Sequence, residues 1–151
     1  MKKIFIIITI IVISVISIVF AKYSEYSKKT NEINAINKEF LSYENSQIQI
    51  NTVVTLMNKA ISLNKENNIK QNDKLIFEEN DKNSIKIYLE TKSTQSEELV
   101  QIPMEELMLN KNAGPEKVVY AFSTSKFEMK EKEYHKKTGQ IKKIVFSEKI
   151  N

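Results

Sequence analysis

The chain has 151 residues, no cysteine, a single histidine and only two glycines, with a net charge of +4. These numbers exclude disulfides, thiol chemistry, thiolate metal sites, an acylated-cysteine anchor and a glycine-rich phosphate loop. All basic residues are lysine, and the 130 residues after Ala21 hold 21 Lys against 19 acids, too even a balance for a nucleic-acid footprint.

The first element is an uncharged run of 18 residues from Ile4 to Ala21, fourteen of them Ile, Val or Phe. As a helix it is about 27 Å long, close to the ~30 Å hydrocarbon core of a bilayer. Ile4, Phe5, Ile8, Ile11, Val15, Ile18, Phe20 and Ala21 are its expected membrane-spanning residues. Thr9, Ser14 and Ser17 can return their hydroxyls to backbone carbonyls. Ser14 and Ser17 share a face, which either admits a second helix or is simply tolerated. A signal peptide is the rival reading, and Val19-Phe20-Ala21 is a small-x-small cleavage site. The run exceeds the usual apolar region of about 7–15 residues, so length favours a retained anchor. Lys2 and Lys3 precede the run; Lys22, Lys28 and Lys29 follow it, diluted by Glu25. The positive-inside bias then puts the N-terminus in the cytoplasm and the body outside the cell. Tyr23 and Tyr26 sit where interfacial aromatics anchor a span.

Residues 22–30 read as a juxtamembrane linker or helix extension, and residues 31–151 as an extracytoplasmic α+β domain. Ile33, Ile36, Phe40 and Tyr43 recur at helical spacing. With no breaker before them, one helix can leave the membrane and run to about Glu44. This stripe is a candidate interaction face. A second stripe follows at Ile50, Val53, Val54, Met57, Ala60 and Ile61. Threading both through Gln47 gives a heptad register, hence a membrane-anchored coiled-coil oligomer as an alternative. The second stripe is wider than a heptad seam, and Asn45-Ser46 reads as a stop, because Asn tolerates the left-handed conformation. Two helices packed on a sheet are therefore expected.

The period then changes to two. Leu75 and Phe77 alternate with polar neighbours, and Ile85, Ile87 and Leu89 do so more cleanly, as half-buried strands. Residues 98–102 suit a short strand, 103–110 one or two helical turns behind Pro103, and 111–116 a loop. "KVVYAF" fits helix or strand. Phe127 and Met129 alternate ahead of a turn at Lys137-Thr138-Gly139, and Ile141, Ile144 and Phe146 follow it. That is a β-hairpin with positive φ at Gly139. The predicted fold is α+β: a membrane helix, one or two helices, and a small antiparallel sheet closing in a C-terminal hairpin.

"FLSYENSQIQINTVVTLMNKAISLNKEN" (40–67) and "YHKKTGQIKKIVF" (134–146) resemble the corresponding segments of small, single-pass, uncharacterised proteins of low-GC Gram-positive bacteria. Such proteins often share the layout of type IV pilins: a membrane helix, its extension, and a small antiparallel sheet. The resemblance implies that architecture and a place at the cell envelope, and it implies no catalytic residue. It departs from true pilins, which carry Gly or Ala at the cleavage site and a Glu five residues into the mature chain. Here Lys3 runs straight into Ile4, and no Glu interrupts the run.

No catalytic constellation emerges. A lone His135 cannot supply a His-rich metal site, and a triad would need a buried carboxylate to orient it. As a turn-flanking residue among lysines it is expected to be exposed, and a buried, paired His135 would reopen the enzyme reading. The acidic pairs Glu78-Glu79, Glu97-Glu98 and Glu105-Glu106 read as surface charge, since adjacent residues point apart. Asp81 and Asn83 lack the glycine and terminal Glu of a calcium loop. Charge is uneven: residues 65–106 hold 6 Lys and 10 acids, and residues 126–149 hold 8 Lys and 4 Glu. The basic hairpin is a candidate for weak contact with anionic lipid or wall polymer, set against an ordinary solvated face. The expectation is an extracytoplasmic, membrane-anchored protein with a structural or interaction role and without catalysis, cofactor or metal. Its partners would be the lipid bilayer, other envelope proteins or itself. The alternative is a ligand-binding module secreted after cleavage at Ala21.

Overall fold

The computed structural model describes residues 2–92, 98–109 and 114–149, and the side chains of all of these except 2–5 and 8. Glu97, Asn110 at the end of the expected helical turns, and residues 111–113 of the expected loop lie outside the described residues. The chain forms two compact units, residues 1–35 and residues 36–151.

The first unit is helix α1, which spans Lys2–Leu41 and contributes its last residues to the second unit. An α-helix satisfies its own backbone, so it needs no partner to enter an apolar medium. The hydroxyls of Ser14 and Ser17 donate to the carbonyls of Ile10 and Ile13, each at 2.9 Å, as anticipated. The helix is continuous through Ala21, and its side chains from Ile6 to Phe20 are exposed wherever they are described.

In the second unit, α1 ends at Leu41 and Asn45 adopts φ 64°. The chain then forms β1 (Ile48–Gln49) and α2 (Ile50–Glu66). Two helices are thus present, and the turn between them interrupts any continuous heptad through Gln47. Further along come β2 (Lys86–Lys92), β3 (Leu99–Pro103), α3 (Met104–Leu109), α4 (Gly114–Ala121), β4 (Lys126–Tyr134) and β5 (Ile141–Lys149).

The sheet has the order β1-β4-β5-β2-β3. The α+β layout is the predicted one, but β2 and β5 run parallel, so the sheet is mixed. Two antiparallel units, β2–β3 and β4–β5, lie side by side and meet along those strands. As a central strand, β2 is buried almost throughout, where alternation suggested a half-buried one.

Two local expectations need correction. Leu75 and Phe77 do not form a strand. Leu75 is an exposed turn residue at φ 63°, and only an isolated bridge joins Gln71 to Phe77. The Asn72 carboxamide accepts from the N–H groups of Lys74 and Ile76, which favours a turn over a ladder. The loop expected over 111–116 ends early, because Gly114 (φ 79°) and Pro115 open α4. Proline suits a first helical turn, where its missing N–H would have no partner. "KVVYAF" lies mostly in this helix, which ends at Ala121.

The core joins Phe40 of α1 and Ile50, Val53, Met57 and Ala60 of α2 to the inner sheet face. Cross-strand partners Ile87–Ile144 and Leu89–Phe146 form the centre of that face. The hairpin is built as predicted. His135 N–H donates to Gln140 O and Gly139 N–H to His135 O, both at 2.8 Å, with Gly139 at φ 71°.

Candidate functional site

The membrane-spanning candidates all lie on α1. Ile11, Val15, Ile18 and Phe20 are 54–70% exposed, as is needed for contact with lipid, and Ala21 is exposed too. Tyr23 and Tyr26 follow, at 69% and 72%. Ile4, Phe5 and Ile8 belong to the same helix, and their side chains lie outside the described set. One helix is therefore long and apolar enough to cross a membrane, a property that a signal sequence shares.

Two residues of the candidate interaction stripe are used by the fold. Phe40 is fully buried in the core and Ile36 packs against it. Ile33 is half-buried, and Tyr43 is 37% exposed. The periodicity identified an apolar helix face, of which Phe40 and Ile36 meet the domain's own core.

The second unit holds a dense polar cluster where the parallel strands begin. The Asn64 carboxamide sits in the core, donating to Ile85 O and accepting from Ile85 N–H at 2.8 Å each, as a neighbouring strand would. Asn37 plays the same part for β5, donating to Gly139 O at 2.8 Å and accepting from Ile141 N–H at 2.7 Å. The Asn80 side-chain oxygen accepts from the N–H groups of Lys82, Asn83 and Ser84. Thr138 bonds to Lys82 O and Gln140 to Asn83 O, which ties this segment to the hairpin turn.

His135 belongs to that cluster, and the expectation of an exposed histidine is corrected: it is 3% exposed, with Nε2 2.7 Å from Ser84 O. A carbonyl only accepts, so Nε2 carries the hydrogen. The contact joins the hairpin turn to the segment before β2, and because a backbone carbonyl fixes an imidazole as a carboxylate does, the buried, paired His135 reopens the enzyme reading.

The reading of Glu105 as surface charge is also corrected. It is 1% exposed, with Oε2 3.1 Å from Lys86 Nζ, and Lys86 also donates to Phe77 O. Burial pushes the Glu105 carboxyl above the usual carboxylate range, against the opposing pull of Lys86. Glu90, also buried, is matched by Lys130 at 2.6 Å, Ser147 at 2.9 Å and Gln101 at 3.1 Å. Its carboxyl is held below the usual range, first by the Lys130 hydrogen bond and then by Gln101. On the same sheet face, Lys143 lies 5.4 Å from the Tyr88 ring centroid and pairs with Glu131 and Glu133. Burial, with Glu79 and Glu105, raises the Tyr88 phenol. Val145 is fully buried on this face, opposite Tyr88.

The basic hairpin is not a bare cationic surface. Lys130, Lys132, Lys137, Lys142, Lys143 and Lys149 all sit in ion pairs with Glu90, Glu44, Asp81, Glu79, Glu131, Glu133 or Glu128.

Among the described residues, no group of three or more His, Asp or Glu could hold a metal ion. A hollow of about 230 Å³ is lined by Asn67–Lys70 and Glu78–Asn80. Compared with protein-family models, curated proteins and solved structures, the chain matches none of them.

Sequence reasoning missed Asn64, Lys86, Glu90 and Glu105. Asn64 had a signal: it continues the stripe of Met57, Ala60 and Ile61 by one more turn. Lys86 and Glu90 lie on the polar side of an alternating strand, which reads as solvent-facing.

Proposed function

We propose that this is a single-pass membrane protein whose residues 36–151 serve a structural or interaction role outside the cytoplasm, without catalysis. The observation that carries the reading is the continuity of α1 from Lys2 to Leu41. Val19-Phe20-Ala21, the alternative cleavage site, lies within that helix. The length of the apolar run and the exposed Tyr23 and Tyr26 point the same way. A pilin-like component of an envelope assembly is the finer form of this proposal, supported by a long helix leading into a small sheet domain. Its partners would be the bilayer and either other envelope proteins or a second copy of the chain.

A second reading is a secreted binding module cut after Ala21. Its support is that residues 36–151 form a compact unit with a core of their own. Cell fractionation with mass spectrometry of the mature N-terminus separates the two. A membrane-bound chain beginning near Met1 is expected, and protease protection then tests its orientation. A soluble chain beginning at Lys22 would overturn the anchor and favour the secreted module.

A further inference from the structure

The two edges of the sheet are built differently. On the β4 side, β1 covers Lys126 and Phe127, Gln47 donates to Glu128 at 3.2 Å, and Glu44 pairs with Lys132. The strand is also irregular at Met129/Glu131 and Glu133/Tyr134, and it alternates acidic and basic residues. Bulges, charges and covering segments are what keep a sheet edge from pairing with another chain. On the other side the outermost strand is β3, whose five residues Leu99–Pro103 are uncharged and in unbroken register with β2. Leu99 is 50% and Val100 41% exposed, and among the described residues no strand lies against the outer edge.

Proline donates no N–H, so Pro103 opposite Tyr88 is a non-hydrogen-bonded pair of the antiparallel ladder. Alternation puts Leu99 and Gln101 in the same class, with their backbone N–H and C=O groups turned outward. The occupant that such an edge accepts is an extended strand. We propose that this occupant is β3 of a second copy of the chain, paired antiparallel about Gln101.

The sequence of β3 suits pairing with itself. Gln101 meets Gln101 of the second copy and exchanges both backbone bonds. Leu99 N–H meets Pro103 O of the second copy, so each proline falls at an end of the new ladder, where only its carbonyl is used. Val100 faces Ile102 of the second copy, an apolar pair that covers the exposed Val100. No charged residue lies within the paired stretch, so the two-fold axis brings no like charges together. Because the β4 edge is protected, pairing closes at a symmetric dimer with one continuous sheet and does not propagate. The pairing deepens the assembly reading above, and rests on it only for placing both copies in one membrane.

The chain has no cysteine, so Gln101→Cys supplies a single thiol. The two-fold sets the paired Cα atoms about 5.5 Å apart, within disulfide reach. Two copies of Leu99→Cys would lie about 14 Å apart along the strands, beyond it. With the full chain in detergent micelles under mild oxidation, Gln101→Cys is expected to give a disulfide-linked dimer and Leu99→Cys none. Val100→Lys, at an exposed site that leaves the fold intact, is expected to raise the dimer dissociation constant in sedimentation at least about tenfold. A chain that stays monomeric at every concentration overturns the proposal. So does cross-linking of Leu99→Cys as readily as Gln101→Cys. A dimer indifferent to Val100→Lys belongs to another surface, such as α1, and overturns it too. The anchor fails separately: a soluble chain beginning at Lys22 would still pair through β3.

Discussion

Residues 1–35 and 36–151 draw on the same apolar side chains and treat them in opposite ways. Ile13 and Ile16 of the first unit are 58% and 61% exposed, while Ile50 and Ile144 of the second are 1% and 0% exposed. In the first unit one helix satisfies its own backbone and leaves its side chains to the surrounding medium. In the second, apolar side chains are covered only because strands and helices from distant parts of the chain meet. The polar groups that come with them are then matched individually, as at Asn64 and Glu90. A long apolar helix is thus specified by composition over a short window. A core is specified by composition together with long-range pairing.

The sharpest way to break this contrast is to charge the span. Ile11→Lys with Val15→Lys adds two residues costing about 2.5–3.5 kcal/mol each at a helix centre. The chain is expected to leave the membrane fraction, as read by fractionation, while the fold of residues 36–151 persists by circular dichroism. Phe40→Ala should do the reverse. It empties a fully buried site and is expected to cost about 3–5 kcal/mol in denaturant unfolding without changing the membrane fraction.

A smaller effect is expected at Asn64→Ala, which orphans both backbone groups of Ile85. A loss of about 2–4 kcal/mol, visible as a lower melting temperature, follows from two buried unsatisfied groups. A variant within experimental error of the wild type would mean that the amide clip is incidental. The smallest effect is a pH dependence at Glu90. Its lowered carboxyl contributes stability that is present above the unfolded-state value and lost as pH falls through the folded-state one. Glu90→Gln should therefore flatten the acid limb of the stability profile and leave the neutral region close to its new baseline.

Much of the architecture was legible before any coordinates. The stop at Asn45, the stripe of α2, the short β3 and the Gly139 hairpin each rest on a local rule of period or turn chemistry, and the fold uses all four. Leu75–Phe77 misled because alternation over three residues cannot tell a strand from a turn held by Asn72. The candidate site was far less legible. The Ile33–Tyr43 stripe was visible as apolar, but whether such a face meets the chain's own core or another molecule depends on what packs against it. Phe40 and Ile36 meet the core.

The sequence by itself determined the long apolar helix, the absence of thiol and glycine-loop chemistry, and the placing of α2 and the C-terminal hairpin. Each of these follows from residue type within a window shorter than a single element. Only the tertiary structure decided that β2 and β5 run parallel, that His135 and Glu105 are buried, and that six of the hairpin lysines are paired. A residue's exposure and its charge partner depend on neighbours contributed from far along the chain. Glu105 meets Lys86 across 19 residues, and His135 meets Ser84 across 51.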